Sequence, residues 1–116
     1  MNHIARTSAA IAVLLAANAF AGSTEGPTMV TSVGINGSGN AIIQVATVNH
    51  TETCGRPAGQ KSLTISKDNP KFNAMYATVL AAKSTGSPIL AWVQGCIDFW
   101  GDGSNVVPQI TDVGVQ

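Results

Sequence analysis

The chain has 116 residues, six Lys+Arg against six Asp+Glu, a formal net charge of zero, and 45% hydrophobic but only 10% charged residues. That is one small domain's worth of polypeptide, too apolar and too sparsely charged for a disordered chain. It has no basic excess of the kind a nucleic-acid binder uses to release counterions from phosphates.

The first segment reads as an address. Met1 to Arg6 is a short head with one positive charge, Ala9 to Ala17 is an unbroken apolar run, and Ala19-Phe20-Ala21 places small residues before Gly22. Head, core and A-x-A in that order predict a signal peptide over 1–21, cleaved between Ala21 and Gly22, in preference to a buried N-terminal helix. The run falls short of the roughly 20 apolar residues that span a bilayer, and no later segment is long and apolar enough to do so. Residues 22–116 are then a single exported domain, secreted or periplasmic. In an oxidising compartment Cys54 and Cys96 are expected to pair as a structural disulfide. A catalytic cysteine is the weaker reading, since His50 is the only histidine after residue 21.

Along the exported part, Gly22–Pro27 is small and polar and reads as frayed. Thr28–Ile35 is rich in β-branched residues and predicts a strand. Asn36-Gly37-Ser38-Gly39-Asn40 turns it into a second strand over Ala41–Val48, which makes a hairpin. Asn49–Gln60 is a polar loop, and Ser62–Ser66 a short third strand with Leu63 and Ile65 on one face. Asn69 is placed to cap a helix, Pro70 to open it, and Gly86 to end it. Between them Phe72, Met75, Tyr76, Val79 and Leu80 form one apolar stripe, which is read as core packing.

Pro88–Gln94 predicts a fourth strand with two largely apolar faces. Gly95–Val107 reads as a loop and Gln109–Val115 as a fifth strand. The order β-β-β-α-β-β describes an all-β domain with one helix. It fits the five-stranded Greek-key barrel of the OB-fold, closed by one disulfide. An open α+β sheet with the helix across one face is the leading alternative.

The run from Asn69 through Lys83-Ser84-Thr85-Gly86, the strand Ile89–Val93 and the step Gly95-Cys96 resemble a family of small secreted bacterial proteins. These are similar to the B subunit of subtilase cytotoxin and to pertussis-type toxin B subunits. The earlier cysteine after strand two and the short closing strand extend the resemblance over most of residues 22–116. It implies an OB barrel assembled as a homo-pentameric ring, with the helices lining a central pore where a catalytic A subunit docks, and with loops or flanks that bind cell-surface glycans. The chain departs from the pattern in its single cysteine pair, short N-terminus and few aromatic residues, and no sugar-binding residue is carried over from the family.

The residues themselves nominate two regions. In Gly95–Asn105, Trp100 offers a ring to stack on a sugar face, and Asp98, Asp102 and Asn105 offer acceptors and donors for its hydroxyls. The competing reading is a tight turn with Phe99 or Trp100 tucked beside the disulfide. The spacing of Asp98 and Asp102 lacks the alternating acidic ligands of a calcium loop. In the fourth strand, Leu90 and Trp92 face outward and want a partner if Ile89, Ala91 and Val93 face the core; with the faces reversed, Trp92 lies under the helix. His50, Glu52 and Arg56 read as a solvated loop around Cys54. No triad, metal site or cofactor site is drawn from them, and Gly34-x-x-Gly37-x-Gly39 joins two strands instead of opening a helix. The reading that follows is a non-enzymatic binding module that recognises glycans. The alternative is a stand-alone periplasmic interaction or inhibitor protein.

Overall fold

The computed structural model describes residues 22–55, 61–98, 103 and 106–116; the predicted signal segment lies outside them. The chain forms β1 (Ser23–Thr28), β2 (Val30–Ile35), β3 (Ala41–Val45), β4 (Ser62–Ile65), α1 (Phe72–Thr85), β5 (Ile89–Asp98) and β6 (Val106–Val115). These strands make one mixed sheet in the order β1-β5-β6-β4-β3-β2. Every pairing is antiparallel except β4 with β6.

The sheet has six strands where the sequence predicts five. The stretch read as frayed is β1, paired to β5 through Ser23↔Val93, Thr24↔Trp92 and Glu25↔Ala91. Its composition, Ser-Thr-Glu-Gly-Pro-Thr, carries no apolar alternation, so nothing local announces a strand. Met29 alone separates β1 from β2, and the Gly26–Pro27 bond beside that break is cis. Gly26 has φ +109°, and a Cβ there would run into the Ile89 carbonyl oxygen, so the bend requires glycine.

Side chains extend the β1 seam. Beyond the last β3 residue, Ala46 N–H donates to the Met29 carbonyl at 2.9 Å, and the chain from Thr47 to Thr51 then meets β1 through side-chain acceptors. Thr28 Oγ1 accepts from Thr47 N–H at 3.1 Å, Glu25 Oε2 from Asn49 N–H at 2.9 Å, and Ser23 Oγ from Thr51 N–H at 2.8 Å. Thus β3 ends at Val45 and not at Val48, because its onward partner is a row of side chains instead of a backbone ladder.

β5 and β6 overrun their predicted limits for a related reason. They pair from Ile89↔Val115 to Asp98↔Val106, with register shifts at Trp92/Val93 and Val93/Cys96. Gly95, which reads as the start of a loop, takes φ +81° within that irregular stretch. It is a glycine at a bulge, and the strand continues past it.

The helix begins at Phe72, two residues later than predicted. Pro70 lies in the turn before it, and Asn69 Oδ1 accepts from Lys71 N–H at 2.8 Å. Gly86 ends it in the left-handed conformation (φ 69°), with its N–H directed to the Ala82 carbonyl. Met75, Val79 and Ala82 are its buried residues, and Phe72 and Tyr76 are partly buried and stacked 5.8 Å apart. Leu80 departs from the predicted stripe and is 40% exposed, because α1 packs on β6, β2 and β4 along one narrow face. The fully buried Ile43, Val45, Leu63, Ile65, Val93 and Ile110 fill the space between sheet and helix. On β4, Thr64 is buried as well and donates to the Ala41 carbonyl at 2.7 Å, which satisfies its hydroxyl.

The predicted disulfide is present: Cys54 and Cys96 are bonded, with Cα atoms 5.8 Å apart. No described helix is long and apolar enough to cross a membrane.

Candidate functional site

β5 resolves the alternative left open at Trp92. Ile89, Ala91 and Val93 are buried, Leu90 is half-buried, and Trp92 faces outward at 39% exposure. Strand register then determines its neighbours. Trp92 lies opposite Thr24 on β1 and opposite Asp112 on β6, while Leu90 lies opposite Gly114. With neighbouring strands about 4.8 Å apart, hydroxyl, indole and carboxylate form a row roughly 10 Å long across three strands.

An open groove of about 320 Å³ follows this row, lined by Thr24, Leu90, Trp92, Asp112, Val113 and Gly114. Gly114 leaves space opposite Leu90, since an added Cβ would have nothing within 4 Å. The indole is held at two sides. Trp92 Nε1–H donates to Gln94 Oε1 at 3.3 Å, and the backbone of Gly22 lies so close that a Cβ there would stand 2.5 Å from the Val93 carbonyl oxygen and 3.1 Å from Trp92 Nε1. Asp112 Oδ1 accepts from Val113 N–H at 3.1 Å and faces Lys71 Nζ at 3.3 Å. Both members of that ion pair are more than half exposed, so it is screened and readily exchanged for another partner. The groove therefore offers a flat apolar face beside an available carboxylate and a hydroxyl. That suits a ligand with one apolar face and a rim of hydroxyl groups.

The predicted loop site is only partly described. Asp98 is exposed at the end of β5, where its Oδ2 accepts from Gly103 N–H at 2.8 Å. Trp100, Asp102 and Asn105 lie outside the described residues. Six strand positions separate Asp98 from Trp92, about 20 Å along β5, so the structure does not bring these two candidates together.

The loop around Cys54 is less solvated than its composition predicts: His50 is buried and Glu52 half-buried. Arg56 lies outside the described residues. Glu25 escaped sequence reasoning altogether. It is fully buried, its Oε2 accepts from the N–H groups of Gly26 and Asn49, and among the described residues its Oε1 has no hydrogen-bond partner. Thr24 and Asp112 were missed too. Only the cross-strand register selects them, and no local pattern encodes it.

No protein-family model, curated protein or solved structure matches this chain.

Proposed function

We propose that the chain is an exported, non-enzymatic binding module of the OB-barrel type, akin to toxin B subunits, that holds a saccharide ring against Trp92. The observation that carries this reading is the outward indole, 39% exposed, flanked in register by Thr24 and Asp112 over an open groove. A sugar lays its C–H face on an aromatic ring while its hydroxyls bond to the carboxylate and hydroxyl at the edges.

Support for the barrel comes from connectivity. Counting β1 and β2 as one strand bent at Met29 leaves five strands, with the helix between the third and fourth and the third parallel to the last. The two margins of the sheet are then the two halves of that strand. Support for ring assembly comes from α1, whose outer face exposes Ala74, Ala77, Leu80 and Ala81. This is small apolar surface suited to close approach by neighbouring subunits and, in the toxin-like version, by an A subunit.

A glycan array followed by titration of each hit tests the reading. Trp92→Ala should keep the fold and weaken saccharide binding at least about tenfold, the equivalent of 1.4 kcal/mol. Binding unchanged by Trp92→Ala, or no saccharide bound at all, refutes it. A second reading, a protein partner docking on Leu90 and Trp92, draws on the same surface, with Trp92 exposed and Leu90 half-buried beside it. It predicts a monomer or dimer by light scattering where the ring predicts five subunits.

A further inference from the structure

Outside the groove, one cluster combines donor atoms in a way that neither the barrel nor the saccharide reading uses. Glu52 Oε2 lies 3.9 Å from Cys96 Sγ, and the donor atoms of Glu52, Cys54 and Cys96 all lie within 4.8 Å of one another. Among the described residues no cation faces that carboxylate. Cys54 takes φ +54° and Gly55 φ +76°, a left-handed turn at the point where the disulfide ties this loop to β5. Cys96 is exposed and Cys54 and Glu52 are half-buried, so the cluster is open to ions from solution.

We propose that Cys54, Cys96 and Glu52 form a binding site for a divalent, thiophilic metal ion of the zinc class once the disulfide is reduced. In the oxidised pair the two sulfurs are bonded to each other and bind no metal as thiolates. A dithiol reductant supplies two electrons and two protons and becomes a disulfide itself, leaving two thiols on the chain. The incoming M2+ displaces both thiol protons and forms two M–S bonds, and the Glu52 carboxylate supplies a third ligand; water completes the shell. In tetrahedral zinc sites, bonds of about 2.3 Å to sulfur and about 2.1 Å to oxygen put neighbouring donors roughly 3.6–3.8 Å apart. Glu52 Oε2 is already near that distance from Cys96 Sγ. With the S–S bond broken, side-chain rotation across a Cα separation of 5.8 Å lets the two sulfurs move apart to the spacing of bound thiolates. A metal then replaces the covalent link between the loop at Cys54 and strand β5.

The test titrates Cd2+ and Zn2+ into the purified chain, oxidised and reduced with a phosphine, by calorimetry. Thiolate-to-Cd2+ charge-transfer absorption reports the sulfur ligands, and far-UV circular dichroism reports the fold. The expected result is one ion per reduced, folded chain, none for the oxidised chain, and affinity at least tenfold weaker in Glu52→Gln. If reduction loosens the fold, metal addition should restore the dichroism of the parent chain but not that of Glu52→Gln. Equal affinity in the two reduced proteins means two thiols acting without a built site and overturns the proposal. So does absence of binding by the reduced chain, or equal binding by the oxidised one.

Discussion

Replacing Glu25 tests whether the seam between β1 and residues 46–51 rests on side-chain acceptors. Its Oε2 accepts from Gly26 N–H and from Asn49 N–H, each at 2.9 Å. Gly26 N–H has a second acceptor in Asn49 Oδ1 at 2.8 Å, so truncation strands mainly the Asn49 N–H. A hydrogen bond to a charged acceptor contributes about 1.5–3 kcal/mol, and the shared bond to Gly26 adds a fraction of that. Against this stands relief from burying a carboxylate whose Oε1 has no hydrogen-bond partner among the described residues. Glu25→Ala should therefore cost about 2–3 kcal/mol, a large part of the 5–15 kcal/mol typical of a domain. Glu25→Gln keeps an oxygen where Oε2 stands and should cost less than half as much. Urea unfolding of both variants, with slopes checked for constancy, measures the difference, and amide exchange at Asn49 localises it. A Glu25→Ala protein within about 0.5 kcal/mol of the parent refutes the account, as that is the range of an ordinary surface change. Equal losses in Ala and Gln variants also refute it, because acceptor geometry would then be irrelevant.

The disulfide and the helix terminus give two further predictions. Replacing both Cys54 and Cys96 by Ser removes a link between residues 42 positions apart; chain entropy alone puts the loss at about 4 kcal/mol, and a fall of less than about 1 kcal/mol in denaturant titration would contradict that reasoning. Gly86→Ala should cost about 1 kcal/mol through backbone strain at φ 69°, with no steric component, since nothing lies within 4 Å of the added methyl; a thermal midpoint equal to the parent's counts against a left-handed helix end.

The contrast between helix and sheet shows what was legible in the sequence. The helix carries its own stop and its own apolar periodicity: Gly86 and the Met75–Val79 spacing are local instructions that hold in any tertiary setting. The hairpin between β2 and β3 is equally local. Asn36 Oδ1 accepts from the N–H groups of Ser38 and Asn40, and Gly39 supplies φ +90°. The pairing of Cys54 with Cys96 followed from there being only two cysteines.

The candidate site belongs to the other category. Alternation along β5 left two opposite placements for Trp92, and only packing of Ile89, Ala91 and Val93 into the core turned the indole outward. Thr24 and Asp112 lie far from Trp92 in the chain and meet it through strand register, a property of the assembled sheet. β1 was invisible for the same reason. A polar strand holding a buried Glu25 has no hydrophobic signature, and its stability comes from acceptors and pairing partners that exist only once β5 and residues 46–51 are beside it. Local backbone preference and composition thus determined the helix, the hairpin and the disulfide. Which residues share a surface was decided by tertiary structure, because hydrogen-bond register and burial couple positions that sequence spacing keeps apart.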